Sequence, residues 1–115
     1  MFKRDSKILF EDIIVSIKKI EEYTADLSYE DFEANNLITD AVVRNIEIIG
    51  EASKNIPVEI QQVFTDIPWQ KLRGIRNRIV HDYFDIDRTI IWYIVINELS
   101  PLKKSLQDHL QNENI

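Results

Sequence analysis

Leu9-Phe10-Glu11-Asp12-Ile13-Ile14-Val15-Ser16-Ile17-Lys18-Lys19-Ile20 sets apolar side chains at positions 9, 13, 17 and 20, with Phe10 and Ile14 beside them. Spacing of three and four residues is the period of one helix face, and Lys18, Lys19, Glu21 and Glu22 fall largely outside the stripe. The pattern predicts an amphipathic helix over about residues 4–24. Downstream, Ser28 with Asp31 three residues later reads as an N-cap with an acidic first turn, opening a short helix around Tyr29 to Ala34. Asn35-Asn36 makes a break. A long helix then runs from about Leu37 to Lys54, burying Ala41, Ile48 and Ala52 together with Val42, Ile46 and Ile49.

Pro57 suits the first turn of a further short helix through Phe64, and Asp66-Ile67-Pro68 marks the start of the next, expected to run unbroken from Trp69 to about Tyr83. Asp85-Ile86-Asp87 forms a turn able to cap a last helix from about Arg88, which Pro101 kinks by removing the amide donor for the Asn97 carbonyl, and whose end frays after His109. Gly50 and Gly74 lie inside helical patterns, where each costs roughly 1 kcal/mol relative to alanine, so both point to close helix packing. No segment alternates as a strand between hairpin turns. The expected fold is all-α, an antiparallel helical bundle with about four main helices plus short ones, in one domain spanning residues 1–115.

Composition narrows the function classes. The chain has no cysteine, which removes disulfide and thiolate-metal chemistry and suits a reducing cytosol. Its first amphipathic segment is interrupted by Glu11 and Asp12, unlike the apolar core of a signal peptide, and the run Ile90 to Ile96 is far shorter than the roughly 20 residues of a bilayer span. A cytoplasmic protein without a membrane partner is expected, with Ile90–Ile96 in a buried helix. At 115 residues the chain can bury a core, yet oligomerisation would help stabilise it. Net charge is −6, which argues against generic adhesion to nucleic acid. From Trp69 to His81, however, Lys71, Arg73, Arg76 and Arg78 occur with no acidic residue between them. The plain alternative is a helix whose cations complement its macrodipole.

Inside that basic stretch stands Arg76-Asn77-Arg78-Ile79-Val80-His81-Asp82-Tyr83, an R-x4-H-x-Y spacing. Histidine exchanges protons near neutral pH, and arginine offers a permanently cationic, planar fork of donors to phosphate oxygens. The pair suits attack on a phosphodiester. On a continuous helix Arg76 and His81 would stand about 140° apart, so they converge either by the long arginine swinging toward the histidine where the helix loosens near its end or, more attractively, by two copies of the chain meeting at a twofold groove. His81 and Asp85 have the i,i+4 spacing of metal ligands, but two ligands make a poor site and no metal or other cofactor is expected. His109 reads as a helix-end histidine. Trp69 and the pair Trp92-Tyr93 read as fillers of the core or a dimer interface.

Arg76-Asn77 with His81-Asp82-Tyr83, the stretch Arg44-Asn45-Ile46-Glu47-Ile48-Ile49-Gly50-Glu51-Ala52, and Trp69 ahead of Gly74-Ile75-Arg76-Asn77 together resemble HepT-like toxins of the HEPN superfamily of small helical RNases. The resemblance covers roughly residues 40–93, and the order of elements fits nearly the whole chain. It implies metal-independent endoribonuclease chemistry in which Arg76 and His81 are catalytic, at a cleft between two protomers, with RNA as substrate and a cyclic phosphate as product. Arg73, Asn77, Arg78 and Tyr83 would bind RNA, and Arg44, Glu47 and Glu51 would form a polar shell steadying the arginine. It further implies a nucleotidyltransferase antitoxin as partner, transferring AMP to Tyr83. A non-catalytic helical module that binds nucleotide, or positions substrate for a nucleotidyltransferase, would use the same Arg76 and His81 to hold phosphate.

Overall fold

The computed structural model describes residues 4–80 and 85–113. Among them are eight helices and no strand. The helices are α1 (Arg4–Thr24), α2 (Tyr29–Ala34), α3 (Asn36–Lys54), α4 (Val58–Val63), α5 (Trp69–Arg73), α6 (Ile75–Ile79), α7 (Arg88–Asn97) and α8 (Leu99–Glu113). The expected all-α bundle is the observed one, with α1, α3 and the α7–α8 pair as its long members.

Local chemistry sets most boundaries. Phe10, Ile13, Ile14, Ile17 and Ile20 of α1 are buried, as their spacing requires, and each such side chain contributes roughly 1.5–3 kcal/mol on full burial. Ser28 and Asp31 close a capping box on α2, each side chain accepting from the other residue's backbone N–H. Asn35 then ends α2 and caps α3 by accepting from the Ile38 amide. α3 turns Val42, Ile46, Ile49 and Ala52 inward. It packs along α1 in the opposite direction, since Leu9 and Asp12 near the start of α1 share a groove with Glu51 and Asn55 at the end of α3.

Three expectations about helix extent are corrected. The segment from Trp69 is not one helix to Tyr83: it breaks at Gly74 and stops at Ile79, with Val80 extended at φ −103° and ψ 126°. Val80 forms an isolated antiparallel bridge with Ile86, and the Asp87 amide donates to the Ile79 carbonyl at 2.7 Å. These bonds turn the backbone out of the helix at a β-branched pair, Ile79-Val80, that tolerates extension. Gly74 accordingly sits at a helix junction; a methyl group there would meet only the Gln70 carbonyl, at 3.6 Å. α8, finally, does not fray at His109 but continues to Glu113. The His109 ring lies 4.4 Å from that of Phe64, and its Nε2 is 2.7 and 2.9 Å from the two carboxylate oxygens of Asp66, which ties down the last turns.

Further residues depart from expectation: Ala41 and Ile48 of α3, expected to be buried, are only partly so. α7 is apolar on nearly every side, yet only Ile91, Ile94 and Val95 are buried, while Tyr93 and Ile96 are each 57% exposed. Trp69 does enter the core, its indole N–H donating to the Phe64 carbonyl at 2.9 Å, and Trp92 packs on Phe32 and Tyr29. No described helix is long and apolar enough to cross a membrane.

Candidate active site

The arginines of the motif sit on α6, five residues held between α3 and α7. Gly50 makes the approach to α3 possible: a methyl group at that position would come within 3.1 Å of Ile75 Cγ2 and 3.5 Å of the Leu72 carbonyl oxygen. Close packing inferred from the cost of a helical glycine is therefore observed at Gly50. The contact seats Ile75, buried at the first position of α6, and so fixes where Arg76 emerges.

Arg76 opens into a groove of about 230 Å³ between α3 and the α5–α6 pair, lined by Glu47, Gly50, Glu51, Lys54, Arg73 and Arg76. Its Nε is 3.6 Å from Glu47 Oε2, and its side chain is 55% exposed. An exposed pair of that length is worth roughly 1 kcal/mol or less, so a phosphate can replace the carboxylate at little cost. Arg73 enters the same groove while donating from Nη1 to Gln61 Oε1. Asn77 is exposed beside Arg76. Arg44 lines a second groove, of about 380 Å³, that shares Glu47 and Glu51 with the first.

Arg78 behaves differently. Two residues on from Arg76, it leaves α6 on the other side and meets Glu98 in a two-pronged bond, Nη1 to Oε1 and Nη2 to Oε2, both 2.8 Å. Both side chains are about three-quarters buried, and Lys71 Nζ lies 3.7 Å from the same carboxylate. The hydrogen bond from Arg78 holds the Glu98 carboxyl below the usual carboxylate range, against the opposing effect of burial, and Lys71 adds to the lowering. Arg78, expected to bind RNA phosphates, has its guanidinium fork engaged by Glu98.

His81 and Tyr83 lie outside the described residues, as does Asp82. What the structure supplies is their two flanks, Val80 and Ile86, bridged to each other. The helix holding Arg76 ends before His81, so an angle of 140° on a common helix does not apply, and it carries no argument for a dimer.

Lys54 and Gln61 were not singled out from sequence. Lys54 was findable, because Glu47, Glu51 and Lys54 recur at four and three residues along α3 and so share a face. Gln61 and Glu98 approach their arginines from 12 and 20 residues away, and no local spacing announces either.

The sequence pattern of the ribonuclease HepT-like family matches residues 13–108. The chain belongs to the HepT-like ribonuclease family. A protein of Methanocaldococcus jannaschii provisionally named an RNase is 39% identical over 107 residues, covering 93% of this chain and 98% of its own length. The "Probable ribonuclease HepT" of Thermococcus cleftensis is 40% identical over 101 residues, 88% of this chain and 92% of that one. A provisionally named RNase of Caldanaerobacter subterraneus is 36% identical over 103 residues, 90% and 92% of the two chains. No solved structure matches the chain. The HepT-like match spans α3, the groove and the whole arginine stretch, so the residues that carried the sequence resemblance all fall inside it.

Proposed function

We propose that this HepT-like protein is an endoribonuclease toxin that cleaves RNA without a metal, using Arg76 and His81. The observation that carries the reading is the contrast between two neighbouring arginines: Arg76 is loosely held in an open groove, while Arg78 is locked to a carboxylate. A site for phosphate needs a cation that can let go of its resting partner.

In the reaction the RNA's own 2'-hydroxyl is the nucleophile. A base removes its proton, the oxygen attacks phosphorus in line, and the P–O5' bond breaks as the leaving oxygen takes a proton, giving a 2',3'-cyclic phosphate and a 5'-hydroxyl. His81 moves these protons, and Arg76 meets the negative charge that grows on the non-bridging oxygens. Arg73 and Asn77 hold neighbouring phosphates, and Tyr83 stacks on a base or bonds phosphate. Glu47 holds Arg76 in place between turnovers, with Glu51 and Arg44 beside it.

Two copies of the chain form the working unit. Exposed Tyr93 and Ile96 on α7 support this, offering apolar surface close to α6, and so does the resemblance to RNases whose cleft lies between protomers. The same resemblance supports a cytoplasmic toxin–antitoxin pair in which a nucleotidyltransferase adds AMP to Tyr83. The added phosphate and bulk would then stand two residues from His81, where RNA must bind.

The test is cleavage of labelled RNA by purified protein, with Arg76→Ala, His81→Ala and the unaltered chain compared. Both variants should lose cleavage while their circular dichroism stays helical. Wild-type rates in either folded variant would refute the assignment.

A further inference from the structure

We propose that Glu98 is a positioning residue for the Arg76 site, acting through Arg78 and not by touching substrate; the inference rests on the ribonuclease reading above. Five residues are too few for a helix to hold its own geometry, so α6 takes its orientation from what grips it. On one side Ile75 is seated against Gly50. On the other, Arg78 is gripped by Glu98 through two bonds of 2.8 Å. Residues 76 and 78 are about 200° apart around a helix axis, so holding the Arg78 fork determines the direction in which Arg76 leaves.

Glu98 is itself well anchored. It occupies the junction of α7 and α8, its amide donating to the Ile94 carbonyl at 2.9 Å and its carbonyl accepting from the Leu102 amide at 3.3 Å. Pro101, in the first turn of α8, fixes that junction by lacking an amide proton of its own. Lys71 brings α5 to the same carboxylate. One side chain thereby ties α5, α6 and the α7–α8 corner together on the face of α6 opposite the groove. Replacing Glu98 by an isosteric amide leaves the largely buried guanidinium without its counter-charge and lets α6 turn about its Ile75 and Ile79 anchors.

The experiment uses the full chain and Glu98→Gln. Steady-state cleavage of a labelled RNA should show kcat reduced about tenfold with KM within about twofold, since misplacing a charge-stabilising group weakens the transition state more than it weakens substrate binding. In an Arg78→Gln background the same change should add nothing. Two readouts need no activity: the Arg76 Nε–H resonance should shift, and the Asp87 amide, which donates to Ile79 at the end of α6, should exchange faster while amides of α1 do not. If Glu98→Gln does not fold, Glu98→Asp carries the same measurements, because it keeps the charge and withdraws the carboxylate by one methylene. Unchanged kcat in a folded variant overturns the proposal, as does a raised KM at constant kcat or an additive loss with Arg78→Gln. Should the unaltered protein cleave no RNA, the ribonuclease reading falls by itself, and an unmoved Arg76 resonance would still overturn the positioning role independently.

Discussion

Substituting alanine at Gly50 sets two known effects against each other. Alanine is favoured over glycine inside a helix by about 1 kcal/mol, and α3 is a regular helix there. The added methyl, however, would stand 3.1 Å from Ile75 Cγ2, so one partner must give way by several tenths of an ångström. Ile75 is 1% exposed and β-branched, with a stiff χ1, and the Leu72 carbonyl lies 3.5 Å from the same methyl position. Overpacking of this kind costs about 1–3 kcal/mol, which outweighs the helical gain and leaves Gly50→Ala less stable by about 0–2 kcal/mol. Gly74→Ala is the control: its φ of −97° suits any residue and its nearest new contact is an ordinary 3.6 Å, so it should be neutral or stabilising by about 0.4–1 kcal/mol. Urea unfolding followed by circular dichroism measures both. Because Ile75 precedes Arg76, Gly50→Ala should also slow RNA cleavage, which Gly74→Ala should disturb less. A Gly50→Ala protein stabilised by the full helical increment would mean that α3 and α6 do not approach as closely as described.

The Arg78–Glu98 pair gives a pH signature. Its carboxyl is held below the ordinary value of 4.5, so the stability it contributes is complete above that value and is lost as pH falls through the lower folded one. The gap in unfolding free energy between the unaltered chain and Glu98→Gln should be constant above about pH 5 and close on further acidification; a gap unchanged down to pH 3 would contradict the pairing. Cleavage should survive excess chelator and leave a cyclic phosphate end, because the nucleophile comes with the RNA; loss of activity restored by one added metal would exclude the mechanism. Co-expression with a neighbouring nucleotidyltransferase should add AMP to Tyr83, and Tyr83→Phe should escape that control. An unmodified Tyr83 peptide in a fully inhibited complex, read by mass spectrometry, would mean inhibition by occlusion instead.

Helices set by nearest-neighbour chemistry were legible in the sequence. The stripe from Phe10 to Ile20 and the Ser28–Asp31 cap are contacts within one or two turns of chain, and their spacing alone specifies them; Asn35, read only as a break, caps α3 in the structure. The matched family was legible too, through residues 44–52 and the arginine–histidine–tyrosine spacing. Tertiary structure decided what the pattern left open. A continuous basic stretch gives no sign that its helix breaks at Gly74 and ends at Ile79, because the Ile79 carbonyl is taken by the Asp87 amide and Val80 is bridged to Ile86, partners that lie further along the chain. Nor does it say which arginine is available. The R-x4-H spacing singles out Arg76 from Arg78 but not how each is held; Glu47 and Glu98, 29 and 20 residues away in the chain, leave one a loosely paired cation in a groove and the other a part-buried, two-pronged ion pair, since an ion pair depends on distance and burial, and those exist only once the helices have packed.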